Sequence, residues 1–213
     1  MFKLSPSSLN LFLECAKCFW LQIVKKDKRP AGIFPSLPSG MDKVLKEHFD
    51  RFASIGKMPP ELKLEGYKLF DDFEKLKKWR NNLSGISTEI EGAVLHGAVD
   101  NILVHNGKMV VLDYKTRGFP LKEDTAGHYQ LQMDMYNYLL RKNGYDTEDY
   151  AYLLFYHPSH VKETGEVIFE TSLVKMDIDV NHGEEILLKA IKVINEEMPE
   201  PSEECEWCKW RER

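Results

Sequence analysis

Apolar residues recur at helical spacing over five stretches of the chain and crowd together without that spacing through its middle, a pattern that predicts helices packed on a sheet. The first stretch opens at Ser5-Pro-Ser-Ser-Leu-Asn, where a small hydroxyl residue precedes Leu9, Leu11, Phe12 and Leu13. That order predicts a helix start, with Cys15 and Cys18 carried near the end of the same helix. Proline and glycine from Pro30 to Pro38 mark a loop, and Ser39-Gly-Met-Asp42 then resembles a capping box opening a second helix. Met41, Val44, Leu45, Phe49 and Phe52 fall on one face of it, with His48 among them. Leu62 to Asn82 reads as a third amphipathic helix, closed by Asn81-Asn82 and Ser84-Gly85.

The period then changes. Ile86 to Val104 and Lys108 to Lys115 are rich in valine, isoleucine and leucine, and the Asn-Gly dipeptide between His105 and Lys108 is a strong signal for a tight hairpin. A helix is expected over Thr125–Lys142, strands over Tyr150–Tyr156 and Val167–Leu173, and a last helix over Asn181–Glu197 that delivers the chain to Cys205. No internal repeat or low-complexity tract is apparent. The 213 residues suffice for one substantial core, so a single domain over 1–213 is the expectation.

No run approaches the roughly 18 apolar residues of a membrane span, and Met1 to Lys17 lacks the small-residue cleavage site of a secretory signal. A soluble, cytoplasmic protein with no membrane partner is expected. The net charge of -5 argues against a protein held to nucleic acid by bulk positive charge. Local basic grooves remain open, with Lys25, Lys26, Lys28 and Arg29 in one cluster and Lys75, Lys77, Lys78 and Arg80 in another beside Trp79.

The four cysteines fall into two C-x-x-C pairs at opposite ends, Cys15-Ala-Lys-Cys18 and Cys205-Glu-Trp-Cys208, with none left over. In a reducing compartment such pairs read as thiolate ligands rather than disulfides. Together they form a four-sulfur set suited to zinc or an iron–sulfur cluster. The site would then clasp residues 1–30 to residues 199–213.

The hairpin has a chemical consequence. With Asn106 and Gly107 as turn residues, His105 faces Lys108, and continuing the register sets Asp100 opposite Asp113 at a non-hydrogen-bonded position, where Cα atoms approach to about 4.5 Å. Lys115 projects on the same face as Asp113, across from Ala98. Val99, Leu103, Val110 and Leu112 are expected on one face, and Ile102, Val104, Met109 and Val111 on the other with the acids, so helices should cover both sides. Opposed carboxylates repel in a partly dry setting, and a divalent ion such as magnesium or manganese would resolve the conflict, with the lysine placed to orient an attacking water. On the following helix Gln132 and Tyr136 are four residues apart and share a face.

These elements resemble the RecB-like branch of the PD-(D/E)XK nuclease superfamily. Gly97-Ala-Val-Asp100 is similar to its G-x-x-D element, Asp113-Tyr-Lys115 to its D/E-x-K element, and Gln132-Met-Asp-Met-Tyr136 to its Q-x-x-x-Y helix. Leu4-Ser-Pro-Ser-Ser-Leu-Asn and Cys15 through Trp20 are similar to the start of such domains, and the series keeps the family's order over most of the chain. The resemblance implies an α/β restriction-endonuclease-like fold, a mixed central sheet flanked by helices, with Mg2+- or Mn2+-dependent hydrolysis of DNA, of exonuclease type. It implies that Asp100, Asp113 and the Tyr114 backbone carbonyl bind the metal, that Lys115 positions the water, and that Gln132 and Tyr136 support the site. Relatives add a metal-binding histidine from an earlier helix. Val44 stands at its usual spacing after Gly40, which leaves His48 as the candidate here and Glu91 as a weaker acidic one. The cysteines resemble a branch that includes CRISPR-associated and AddB-type nucleases, which clasps its ends with a [4Fe–4S] cluster through one cysteine and three; here the division is two and two, and zinc is the alternative. Partners in DNA repair or CRISPR adaptation follow from the same resemblance. Two rivals stand beside this reading: a catalytically idle nucleic-acid-binding or assembly module on the same fold, and a zinc interaction domain whose acids are structural.

Overall fold

The structure, a computed structural model, describes residues 1–211. Phe2–Leu4 form strand β1 and Pro6–Glu14 helix α1, whose N-cap Ser5 accepts from the Ser8 backbone N–H while the Ser8 hydroxyl takes the Ser5 N–H. Pro6 at the first helical position needs no donor there. The helix does not run on through the cysteines as expected. Cys15 is extended (φ -159°, ψ 108°) and ends α1, and Cys18 lies on a separate short helix, α2 (Ala16–Trp20), followed by a π-helical turn over Leu21–Lys25.

Helix α3 spans Ser36–Ser54, beginning three residues before the expected Ser39 cap, with no side-chain cap hydrogen bond. Pro38 lies in its first turn, where its missing N–H costs nothing. The expected helix over Leu62–Asn82 is instead strand β2 (Tyr67–Leu69) followed by α4 (Phe73–Trp79), capped by Asp72. Its helical pattern yields at Tyr67, because β2 finds a partner in a distant strand. The apolar stretch expected as one strand from Ile86 is three: β3 (Ile86–Ile90), β4 (Ala93–Gly97) and β5 (Asn101–His105). Glu91 (φ 44°) and Gly92 (φ 78°) make the turn between the first two, a left-handed pair typical of two-residue hairpins.

Strand β6 (Lys108–Thr116) follows the Asn106-Gly107 turn (φ 50° and 82°), and β5 and β6 pair in the expected register from His105↔Lys108 to Asn101↔Leu112. After a 3-10 segment over Thr125–Tyr129, helix α5 (Gln130–Lys142) crosses over to β7 (Tyr150–Val161), which runs parallel to β6 as such crossovers require. Strand β8 (Val167–Asp177), helix α6 (Val180–Ile194) and helix α7 (Glu206–Arg211) complete the described chain. The strands form a mixed five-stranded sheet, β2-β5-β6-β7-β8, and a three-stranded sheet, β1-β4-β3.

Helices cover both faces of the larger sheet, as expected from its two apolar faces. On one, Ile102, Val111, Leu153 and Phe155 pack with Met133, Leu139 and Leu140 of α5 and with Leu187 and Ile191 of α6. On the other, Leu103, Val110, Leu112 and Leu154 pack with Leu45 and Phe49 of α3. Val99 joins the α5 side with Ile102, against the expected alternation. The cause is a bend at residues 98–100 between β4 and β5, across which the period-2 rule does not carry. No helix among the described residues is long and apolar enough to cross a membrane.

Candidate active site

The Asn106-Gly107 turn fixes which residues of β5 and β6 stand side by side, and the bend after β4 brings Asp100 to the end of that ladder. Its Oδ2 accepts from the backbone N–H of Tyr114 at 3.1 Å, one residue past Asp113. Asp113, on β6, is 1% exposed. Its Oδ1 accepts from Gln132 Nε2 at 3.1 Å, and the Lys115 ammonium lies against its Oδ2. Gln132 ties the cluster together: Lys115 Nζ donates to its Oε1 at 3.3 Å, and its Nε2 also reaches the Tyr136 hydroxyl at 2.9 Å. The four-residue spacing on α5 therefore places an amide and a phenol over the acids. Lys115 Nζ also sits 4.7 Å from the Tyr129 ring centroid, a cation–π contact contributed by the 3-10 segment.

The electrostatics follow from burial. Asp113 is pushed up to about 7, by desolvation first and then by the neighbouring charge of Asp100, and the Lys115 ammonium only partly offsets this. Burial would lower the Lys115 ammonium, but the Asp113 carboxylate outweighs it and holds the lysine charged. The strain of the trio thus falls on the buried carboxyl. Burial also pushes the Tyr136 phenol well up, so it remains a neutral hydroxyl. A hard divalent cation suits this donor set. Asp113 is buried with Lys115 as the cation at its Oδ2, and the charge of Asp100 acts on it from beside; two neighbouring carboxylates of this kind are a donor set such ions occupy.

Two cations have roles at the acids that the sequence reading did not assign. Lys46 of α3 reaches Asp100 Oδ1 at 2.9 Å and Asp42 Oδ1 at 2.7 Å. Burial would lower its ammonium, but Asp100 and Asp42 outweigh burial and raise it. Arg80, at the end of α4, donates from Nε to the Asp100 carbonyl oxygen at 2.7 Å and from Nη1 to Asp50 at 2.8 Å, which locks the bend carrying Asp100 to α3. Spacing along α3 could have flagged Lys46, one turn after Asp42; nothing local flags Arg80.

His48 is turned elsewhere. Its Nε2 meets Glu61 Oε1 at 2.8 Å, and the same oxygen accepts from the Tyr156 hydroxyl. Glu91 is exposed in the β3–β4 turn. The side chain of Tyr114 points into the α3-side core, its hydroxyl accepting from Asn101 Nδ2 at 2.6 Å and its ring 4.6 Å from Phe49. Beside Gln132 and Tyr136 opens a recess of about 350 Å³, walled by the start of α1 (Ser5, Ser7, Asn10) and the end of β4 (His96, Gly97). Gly97 is required there: a Cβ would stand 2.8 Å from the Tyr136 ring.

Residues 23–213 match the family model of the PD-(D/E)XK nuclease superfamily. The chain belongs to this superfamily. Its members are in general phosphodiester-hydrolysing nucleases that use divalent metal. No curated protein matches the chain. Among solved structures, one described as the crystal structure of SSO0001 is similar, with 14% identity over 98% of this chain and 84% of that one and a TM-score of 0.48.

This superfamily chain carries a second cluster. Cys15, Cys18, Cys205 and Cys208 are all buried, and their sulfurs lie within 4.8 Å of one another. The two ends of the chain therefore meet at a four-thiol site able to hold a metal, as the pairing of the motifs implied. Arg29, from the first basic cluster, donates to Cys205 Sγ at 3.4 Å and pairs with Glu14. The two basic clusters are thereby divided: Arg29 and Arg80 serve the two sites, while Lys25, Lys28, Lys77 and Lys78 face solvent.

Proposed function

We propose that this protein is a metal-dependent deoxyribonuclease of the RecB-like branch that hydrolyses phosphodiester bonds at DNA ends. One observation carries the reading: on a chain of this superfamily, Asp100 and Asp113 are brought together at the end of one hairpin, with the Lys115 ammonium against the buried carboxylate. The recess beside Gln132 and Tyr136 supports it, since about 350 Å³ gives room for a nucleotide against Gln132, the residue that donates to Asp113.

In this mechanism Asp100, Asp113 and the Tyr114 backbone carbonyl would hold Mg2+ or Mn2+. A divalent ion held there would supply charge to offset the carboxylate pair and the charge that builds on the phosphate. Lys115 Nζ, held by Asp113 and Gln132, orients the attacking water and keeps its own proton, since its neighbours hold it charged. Gln132 fixes the lysine and the acid relative to each other, and the neutral Tyr136 hydroxyl, already accepting from Gln132, has its proton free to donate toward the recess. The cysteine cluster lies outside this chemistry and clasps the two ends of the chain. Partners that deliver DNA, in repair or CRISPR adaptation, belong to the same reading.

A catalytically idle nucleic-acid-binding module on the same fold is the second reading, favoured by one contact: the Lys46 ammonium already neutralises Asp100 Oδ1. Single- and double-stranded DNA, incubated with purified protein and Mg2+ or Mn2+, separates the two. Cleavage that is lost in Asp113→Ala and Lys115→Ala, with circular dichroism unchanged, supports the nuclease; DNA binding without metal-dependent turnover supports the module. Cleavage that persists in both variants belongs to a contaminant.

A further inference from the structure

The four-cysteine site can be read beyond its capacity for a metal, because the number of metal atoms sets how far apart the sulfurs must stand. Cys15 and Cys208 are 3.8 Å apart, Cys18 and Cys205 3.6 Å, and Cys18 and Cys208 3.5 Å, sulfur to sulfur. All four sulfurs fall within 4.8 Å of one another. These separations are too long for disulfides, whose sulfurs are bonded at about 2 Å. They match the edge of a tetrahedron around one ion: with metal–sulfur bonds of about 2.3 Å, thiolates at the corners stand about 3.8 Å apart. A [4Fe–4S] cluster places each thiolate on a different iron, at the outer corners of a cube that also contains four sulfides. The cysteine sulfurs must then surround eight further atoms, and a set confined within 4.8 Å leaves no space for them.

The backbone reinforces this geometry from both ends. Each C-x-x-C pair occupies one tight turn at the start of a short helix: the Phe19 N–H bonds back to the Cys15 carbonyl, and the Cys208 N–H to the Cys205 carbonyl, at 3.0 and 3.1 Å. Both thiols of each pair thus point to one centre, and the two-and-two division supplies opposite edges of the tetrahedron. Arg29 places a guanidinium against Cys205 Sγ, which offsets the negative charge that four thiolates leave around a divalent ion. Leu11 packs against the cluster and excludes solvent.

We infer that Cys15, Cys18, Cys205 and Cys208 bind a single tetrahedral zinc ion rather than the [4Fe–4S] cluster implied by the family resemblance. The ion would be structural, since four protein ligands leave no open position, and it would link the amino-terminal helices to α7.

The test uses the full-length protein purified anaerobically, without added metal, and reads metal content rather than nuclease activity. The expected result is about one zinc per chain by elemental analysis, a colourless sample, and release of that zinc to a chromogenic chelator when a mercurial titrates the thiols. Replacing zinc with Co2+ should give the intense visible bands of a tetrahedral tetrathiolate site. Cys208→Ser should lower bound zinc at least tenfold. Should that variant fail to fold, the cobalt spectrum and zinc stoichiometry of the unaltered protein decide alone. A brown preparation holding about four irons and four sulfides per chain would overturn the inference, as would metal-free protein whose cysteines are paired in disulfides.

Discussion

Lys46 offers the sharpest test of how the acids are balanced. Its ammonium sits 2.9 Å from Asp100 Oδ1 and 2.7 Å from Asp42 Oδ1, so a divalent ion that takes Asp100 must either displace the lysine or tolerate it nearby. Two unit charges about 4 Å apart interact by about 4 kcal/mol at an effective dielectric near 20, and a divalent ion doubles that. The lysine can swing toward Asp42 and shed most of the repulsion. About 1–3 kcal/mol should remain, because the Lys46 side chain is only 21% exposed and has limited room to retreat. Lys46→Met keeps the aliphatic stem and removes the charge. The expected outcome is Mn2+ affinity increased by about tenfold to a hundredfold, at 1.4 kcal/mol per factor of ten, read by titration calorimetry and by the loss of free-Mn2+ electron paramagnetic resonance signal. Unchanged or weaker binding in a folded Lys46→Met protein would refute the reasoning, because it would mean the ammonium helps to build the cation site rather than competing for it.

Asp113 makes stability depend on pH. Its folded-state pKa, raised to about 7, favours the protonated native form, so that contribution is full at acid pH and is lost as pH rises from the ordinary carboxyl range through about 7. Thermal scans should show the metal-free protein losing more stability between about pH 5 and pH 8 than Asp113→Asn does; parallel profiles would contradict this. His48→Ala should change Mn2+ affinity by less than about threefold, since the imidazole is committed to Glu61, whereas a larger loss would return the histidine to the ligand set. Gly97→Ala should destabilise by about 1–3 kcal/mol in urea unfolding, because its Cβ meets the Tyr136 ring at 2.8 Å and Leu139 at 3.0 Å, and should slow cleavage by displacing Tyr136.

What could be read from residue order alone was local. A two-residue Asn-Gly turn dictates the register of its own hairpin from His105↔Lys108 to Asn101↔Leu112, but the expected Asp100↔Asp113 pair lies one step beyond that ladder, on the bend that Arg80 ties to α3. The Ser5 cap and the shared face of Gln132 and Tyr136 are equally short-range, decided by hydrogen bonds and helical pitch within a few residues. The pairing of two C-x-x-C motifs anticipated a common site, but their spacing in sequence says nothing of how tightly 3.5–3.8 Å separations confine a metal. Contacts between distant segments escaped. Tyr67–Leu69 has a helical pattern and becomes a strand because β5 offers an unpaired edge. The apolar run from Ile86 hides a Glu91-Gly92 turn within the three-stranded sheet and then, at the bend over 98–100, passes to the five-stranded one. Lys46 and Arg80 bear on Asp100 from two other helices, and long-range packing selects such partners. Local chemistry therefore determined the register of the hairpin that carries Asp113; tertiary structure decided where the bend sets Asp100, how buried the acids are and which cations answer them, because backbone bends, desolvation and charge pairing depend on every segment folded against the site.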